Sequence, residues 1–333
     1  MSRAADIEAD PFAERGARLQ RWAQPILGMP VQFESGDPRL LQLARAAYAG
    51  LPAQQFPRER RQLRIELRTV QGWPQARPFR RPATLFSGGG LLGGLGEDGN
   101  AVLLAPHLRR ALVQVGAASL RFAYEVRYEL IEFAVYTLAA RVQQLASLHA
   151  AAVGRGGQGL LLMGPSGAGK STLSLLCALR GFDFLSEDSA FVRPDSLLAT
   201  GVANFLHARA DTLRWVEPAA LRDRLRTAPV IRRRSGVRKH EIDLRQRPFR
   251  VAPAPLKIGA IVLLSPQPPA GKRLLVELGV RDMKAQLRAM QGYATRQPAW
   301  RQFERRLGDL RLLRLHRGAH PDAAVDALED LLR

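Results

Sequence analysis

Residues 159–190 read GLLLMGPSGAGKSTLSLLCALRGFDFLSEDSA, and this stretch decides the fold. Gly164-Pro-Ser-Gly-Ala-Gly169-Lys170-Ser171 fits the pattern GxxxxGK[ST] at every specified position. Each residue type has a chemical reason. Glycines at 164, 167 and 169 let the backbone wrap closely and turn its N–H groups toward phosphates. A helix starting near Lys170 adds its positive N-terminal end. The Lys170 amine would reach the β- and γ-phosphates of a nucleoside triphosphate, and the Ser171 hydroxyl would meet Mg²⁺. The apolar run Gly159–Met163 before the loop predicts a strand, and Lys170–Arg180 predicts a helix closed by Gly181. That is the context the motif requires. Pro165, Ser166, Ala168 and Thr172 complete the expected nucleotide-binding set, and ATP with Mg²⁺ is the expected cofactor pair.

The chain on either side extends the pattern. Upstream, His149–Val153 is a second apolar run, and GRGG at 154–157 makes the two runs a hairpin. Downstream, Phe182–Leu185 predicts a strand that ends at Ser186-Glu187-Asp188-Ser189. Adjacent carboxylates close behind a phosphate loop suit a metal and a proton acceptor: one can hold Mg²⁺ or its waters, the other can take a proton from an attacking hydroxyl. Cys177, inside the loop helix, reads as core packing.

From His149 to Val192 the sequence resembles the HPr kinase/phosphorylase superfamily, and within it the HPr kinase-related proteins. The shared features are the histidine opening a hairpin, a strand entering a GxSGxGKS loop, a helix ending in Arg-Gly, and an acidic pair on the next strand. The resemblance implies an α/β fold, a P-loop kinase core of the HPr kinase/PEP carboxykinase-like type, preceded by an N-terminal α+β domain. It also implies roles: His149 beside the phosphates, Ser166, Lys170 and Ser171 as nucleotide and Mg²⁺ ligands, Glu187 and Asp188 as the acidic pair, and Asp188 as catalytic base. The implied catalytic set is thus Asp188, His149 and Lys170, with Ser171, Glu187 and Asp188 as metal ligands. The sequence departs from the family at Pro165, where an acidic residue is common, and at Glu187, where the family has Asp. The EIRGLG-type signature tied to dephosphorylation is absent; the segment taken as its counterpart reads APVIRRRSGVRKHEIDL at 228–244.

The rest of the chain is read more coarsely. Length and the 46% hydrophobic fraction predict a buried core, with a break near residue 145 between an N-terminal α+β domain (1–145) and the catalytic domain (146–333). Arg39–Leu51 has helical spacing, Leu63–Val70 alternates as a strand, Gln71–Asn100 reads as a flexible glycine-rich loop, and Tyr124–Leu148 reads as one long helix. IRRRSGVRKH at 231–240 reads as a basic loop in the densest arginine stretch, either simply solvated or a clamp on ATP phosphates or an acidic peptide substrate, with Lys239 its best single candidate. Leu256–Leu264, Leu274–Leu278 and Leu310–Leu315 predict strands, and helices are expected near Asp282–Gln291, Pro298–Leu307 and Ala323–Leu332. A single cysteine excludes an intrachain disulfide framework, and the absence of a long apolar run and of a signal-like N-terminus fits a cytoplasmic protein off the membrane.

The net charge of +20 is almost all arginine; lysine occurs only at 170, 239, 257, 272 and 284. Such an arginine excess reads first as compositional bias, next as a site for a phosphorylated or acidic partner, and last as nucleic-acid binding, since aromatics do not alternate with the basic runs; the expected partner is a protein or peptide substrate. A small peptide-binding chaperone and a homo-oligomer are candidate associations. Two functions follow: a kinase phosphorylating a serine hydroxyl on a protein or peptide, and a P-loop ATPase that binds nucleic acid and uses hydrolysis as a switch.

Overall fold

The computed structural model describes residues 18–57, 61–71, 81–271 and 273–333. Its backbone divides into two compact units that are discontinuous in sequence. One contains Met1–Gln24, Val31–Ala49 and Gln62–Leu138; the other contains Pro25–Pro30, Gly50–Arg61 and Ala139–Arg333.

The first unit is a seven-stranded sheet. In spatial order its strands are Gln20–Ile26, Met29–Ser35, Leu63–Val70, Arg110–Gly116, Ala101–Ala105, Leu91–Leu95 and Thr84–Gly88. Leu63–Val70 runs parallel to both neighbours. Its alternation is visible in the fold, with Leu63, Ile65 and Leu67 buried and Arg64 and Arg68 exposed. The helix Pro38–Tyr48 buries Leu40, Leu41, Ala44, Ala47 and Tyr48, and Asp37 caps its N-terminus.

Two expectations in this unit are corrected. The glycine-rich stretch within 71–100 is a hairpin rather than a flexible loop: Thr84–Gly88 pairs with Leu91–Leu95 around Gly89 and Gly90, both at positive φ. Sheet pairing overrides the weak strand propensity of glycine here. The segment expected to be one helix from Tyr124 to Leu148 is a short α turn, a π-helix at Val126–Ile131 and the helix Glu132–Gln143. Gln144 at φ 56° breaks it, and Ala146–Leu148 is already a strand. Part of the 71–100 stretch, residues 72–80, lies outside the described residues.

The second unit is built on a nine-stranded mixed sheet. The main path runs Asp183–Ser186, Ala151–Arg155, Gln158–Met163, Leu256–Leu264, Leu198–Gly201, Ala190–Arg193 and Ala146–Leu148. Arg311–Leu315 pairs parallel with Leu256–Leu264 and antiparallel with Leu275–Glu277. Gln158–Met163 lies parallel to Leu256–Leu264 and antiparallel to Ala151–Arg155. Both faces of this sheet are covered, which is why its central strands read as unbroken apolar runs. Leu160 and Leu162 join one core with Leu173, Leu176 and Cys177 of the helix Lys170–Leu179 and with Val325 and Leu328 of Pro321–Asp330. Leu161 and Met163 join a second core with Met283, Leu287, Trp300 and Phe303. Cys177 is fully buried, and burial pushes its thiol pKa up, which leaves it inert packing.

Segment 50–57 is tied into this unit by buried Gln54. Its amide donates to Ala252 O at 2.9 Å, and its carbonyl accepts from Thr200 Oγ1 at 2.9 Å. A separate three-stranded antiparallel sheet has the order Phe205–Ala208, Arg238–Asp243, Val230–Arg232. The basic segment 231–240 is therefore a β-hairpin, and the expected loop is confined to its tip between Arg232 and Arg238. Among the described residues no helix is long and apolar enough to cross a membrane.

Candidate active site

The strand Gln158–Met163 runs directly into the glycine-rich loop, and the loop opens into the helix Lys170–Leu179. Gly167 and Gly169 take φ of 84° and 95°, a left-handed conformation that L side chains resist. Gly164 meets a different constraint. A Cβ there would lie 3.1 Å from both Leu264 Cβ and Leu264 O, so the loop leaves the sheet pressed against its neighbouring strand. The loop is tightened by Ala168 N–H donating to Pro165 O at 3.2 Å. Pro165, Ser166, Gly167 and Gly169 are exposed, Ala168 is half-buried, and the Thr172 hydroxyl meets Thr212 Oγ1 at 3.0 Å.

Lys170 and Ser171 each meet one member of the acidic pair, by two separate chains of contacts. The Lys170 amine lies 3.2 Å from His149 Nε2, and His149 Nδ1 lies 3.2 Å from Asp188 Oδ1 and 3.1 Å from Asp188 O. An ammonium only donates, so His149 Nε2 accepts and Nδ1–H donates to Asp188, which fixes the tautomer from its partners. His149 is held from behind by Gln291, whose carbonyl accepts from His149 N–H at 2.8 Å and whose amide donates to His149 O at 3.0 Å. Asp188 Oδ2 faces Arg233 Nη2 at 3.8 Å, from the tip of the basic hairpin. With its side chain 41% exposed, Asp188 remains open to a substrate.

Ser171 Oγ donates to Glu187 Oε1 at 2.8 Å. Glu187 Oε2 accepts from the backbone N–H of His207 at 3.3 Å and lies 3.1 Å from His207 Nδ1. His207 Nε2 in turn lies 3.5 Å from Glu241 Oε1. Glu187, His207 and Glu241 are all buried. Burial alone would raise the Glu187 pKa, but the His207 hydrogen bond and charge, Lys239 and the Ser171 hydroxyl outweigh it and hold the carboxyl low. Burial likewise opposes charge on His207, yet its hydrogen bonds to Glu187 and Glu241 raise it. Lys239 is half-buried and lowered, first by burial and then by Arg233 and Lys170, against the pull of Glu187 and Asp188.

The expected set His149, Lys170, Ser171, Glu187 and Asp188 is thus brought together. His207, Glu241 and the placement of Arg233 were not foreseen from the sequence. His207 and Glu241 sit 34 residues apart and become neighbours only because Phe205–Ala208 pairs with Arg238–Asp243 in a register that sets them opposite each other.

Among the described residues, no group of three or more His, Cys, Asp and Glu side chains is arranged to hold a metal ion alone. Mg²⁺ at triphosphates takes one or two carboxylates, the remaining ligands being phosphates and water. The oxygen donors Ser171, Glu187 and Asp188 fit that requirement.

No protein-family model matches the chain, and no curated protein matches it. Among solved structures it is similar to the Hpr(Ser) kinase/phosphatase from Coxiella burnetii, at 11% identity, over 56% of this chain and 89% of that chain, with a TM-score of 0.30. At that level the likeness carries no weight, and the geometry of the loop and its neighbours stands on its own.

Proposed function

We propose that the chain is an ATP-dependent kinase that transfers the γ-phosphoryl group to a hydroxyl, in first place a serine, on a protein or peptide. The observation that carries this reading is the contact chain Lys170–His149–Asp188 beside the phosphate loop. It sets an accessible carboxylate one imidazole away from the amine expected to hold the γ-phosphate.

Phosphoryl transfer asks little covalent chemistry of a protein; catalysis is positioning and charge neutralisation. The loop amides and Lys170 would cradle the phosphates. Ser171, Glu187 and Asp188 would hold Mg²⁺, which when bound supplies charge neutralisation at the phosphates. Asp188 would accept the proton of the attacking hydroxyl, while His149 and Arg233 keep its carboxylate aimed. Arg233 and Lys239 place two further cations at the same end of the site, where negative charge gathers in the transition state.

The reading is tested by incubating the chain with γ-labelled ATP, Mg²⁺ and a panel of serine-containing peptides and small proteins, with Lys170→Ala as control. Label transferred to an acceptor by the unmodified chain and absent with Lys170→Ala supports the kinase. Release of labelled inorganic phosphate with no labelled acceptor across the panel favours an ATPase instead.

A further inference from the structure

His207 is 3% exposed, on the strand Phe205–Ala208 of the small sheet. It joins the site's cation end to that sheet through the chain Ser171–Glu187–His207–Glu241. Two carboxylates and an imidazole below 10% exposure are an expensive way to fill a core, because each must be partnered to offset its lost hydration. Apolar residues of similar volume would hold the two sheets together at least as well. What the buried chain supplies, and an apolar core would not, is a fixed orientation for one carboxylate. Glu187 is gripped at Oε2 by both the backbone N–H and the ring of His207, so Oε1 is left aimed at the Ser171 hydroxyl.

We infer that His207 is a positioning residue for the divalent cation that accompanies the nucleotide. It holds Glu187, and through Glu187 the Ser171 hydroxyl, in the orientation from which they take Mg²⁺ together with the phosphates. The inference rests on reading Gly164–Ser171 as the nucleotide loop. Glu241 supports the far side of the imidazole, so that both ring nitrogens are spent on carboxylates and the ring cannot turn.

Two substitutions separate this role from simple packing, because they carry the same amide on stems of different length. In His207→Asn the amide nitrogen falls near the position of Nδ1 and can still serve Glu187. In His207→Gln it falls near Nε2 and serves Glu241 instead. The full-length variants are titrated with a fluorescent ATP analogue, first in EDTA and then at rising MgCl₂, and each is melted alongside. The expected result is that His207→Gln raises the Mg²⁺ concentration for half-maximal tightening by about 10- to 100-fold, the range found when a group orienting a metal ligand is lost. Its affinity in EDTA stays that of the unmodified chain, and His207→Asn keeps the original Mg²⁺ requirement. An unchanged Mg²⁺ requirement in both variants overturns the inference. So does a parallel loss in both that follows their melting temperatures. Should His207→Gln not fold, Glu241→Met, which leaves no acceptor behind the imidazole, is expected to shift the Mg²⁺ requirement in the same direction; no shift there overturns the inference. Nucleotide affinity without any Mg²⁺ dependence in the unmodified chain overturns it while leaving the loop reading intact, whereas no nucleotide affinity at all sinks both.

Discussion

Asp188 and Glu187 are neighbours in sequence with opposite surroundings, and the difference assigns their work. Asp188 is open and touched by His149 and Arg233; Glu187 is buried and fully engaged by Ser171 and His207. An open carboxylate can receive a proton from a substrate hydroxyl, and a gripped one cannot. Asp188→Asn is therefore expected to cut phosphate transfer by about 10²- to 10⁴-fold, the span of a lost general base, even at ATP and Mg²⁺ concentrations that saturate the variant. Rates measured at saturating ATP, beside equilibrium binding of the nucleotide, check this; transfer undiminished by the substitution would remove Asp188 from the role. That Lys170, Ser171 and Asp188 come near one another was legible from one short segment of chain, while His149 was singled out through the family resemblance. His207 and Glu241 had neither signal. Each is a lone polar residue on its own strand, and only the pairing of those strands makes them a unit.

At the scale of elements, the legible pieces were those whose burial follows a simple period. Leu256–Leu264 is buried without a break from Ala260 to Leu264, and only Lys257 interrupts its apolar run, so its ends are found where the sequence sets them. The helix around Glu132–Gln143 hid its end because it is buried almost all round, which erases the stripe that would mark where it stops. The hairpin Thr84–Leu95 hid because four glycines in its turn and second strand mask the strand pattern. Glycine elsewhere in the sheets is a packing requirement. Gly154 on Ala151–Arg155 has no room for a methyl group: a Cβ would stand 2.1 Å from Gln158 O and 2.8 Å from Leu256 Cδ1. Gly154→Ala is expected to destabilise the chain by about 1–3 kcal/mol, as overpacking does, and urea denaturation reads it directly.

The helix Pro38–Tyr48 carries a prediction of the opposite kind, resting on a charge. Its cap Asp37 accepts from Arg39 N–H at 2.9 Å and from the Thr69 hydroxyl at 2.7 Å. The Arg39 side chain is the largest influence, burial works against it, and Thr69 adds to it, so the carboxyl falls from 3.8 to about 2. A carboxyl with a lowered folded pKa contributes stability that is present above its unfolded value and is lost as pH falls through the folded one. Chemical denaturation between pH 5 and pH 2 should therefore show an acid loss that is smaller in Asp37→Ala, which at neutral pH costs about 1 kcal/mol as a lost cap. Equal acid sensitivity in both chains would place the titrating groups elsewhere.

Over the whole molecule the open question is what a net charge of +20 is for. Part of the arginine content is consumed locally, in pairs such as Arg155 with Glu329, Arg245 with Asp243 and Arg288 with Glu304. The densest run of basic residues lies along the hairpin Val230–Asp243, whose tip places Arg233 against Asp188. On the proposed kinase reading, positive charge there would meet the phosphates of ATP, and no polynucleotide is needed to explain it. A polycation of this size will still bind DNA at low ionic strength, and the two proposed classes of function differ in what that binding does. For charge alone, affinity should fall steeply with salt, by about 10³- to 10⁵-fold between 50 and 200 mM if six to ten phosphates are contacted. It should fall in the same way for every sequence, and it should leave the rate of ATP turnover unchanged. A switch ATPase requires the reverse, with turnover stimulated by DNA at salt concentrations where the complex persists. Measuring ATP turnover with and without duplex DNA at 150 mM salt separates the two. Stimulation would shift the assignment to the ATPase and make the hairpin arginines a nucleic-acid surface; its absence favours the proposed kinase, in which they would meet the phosphates of ATP.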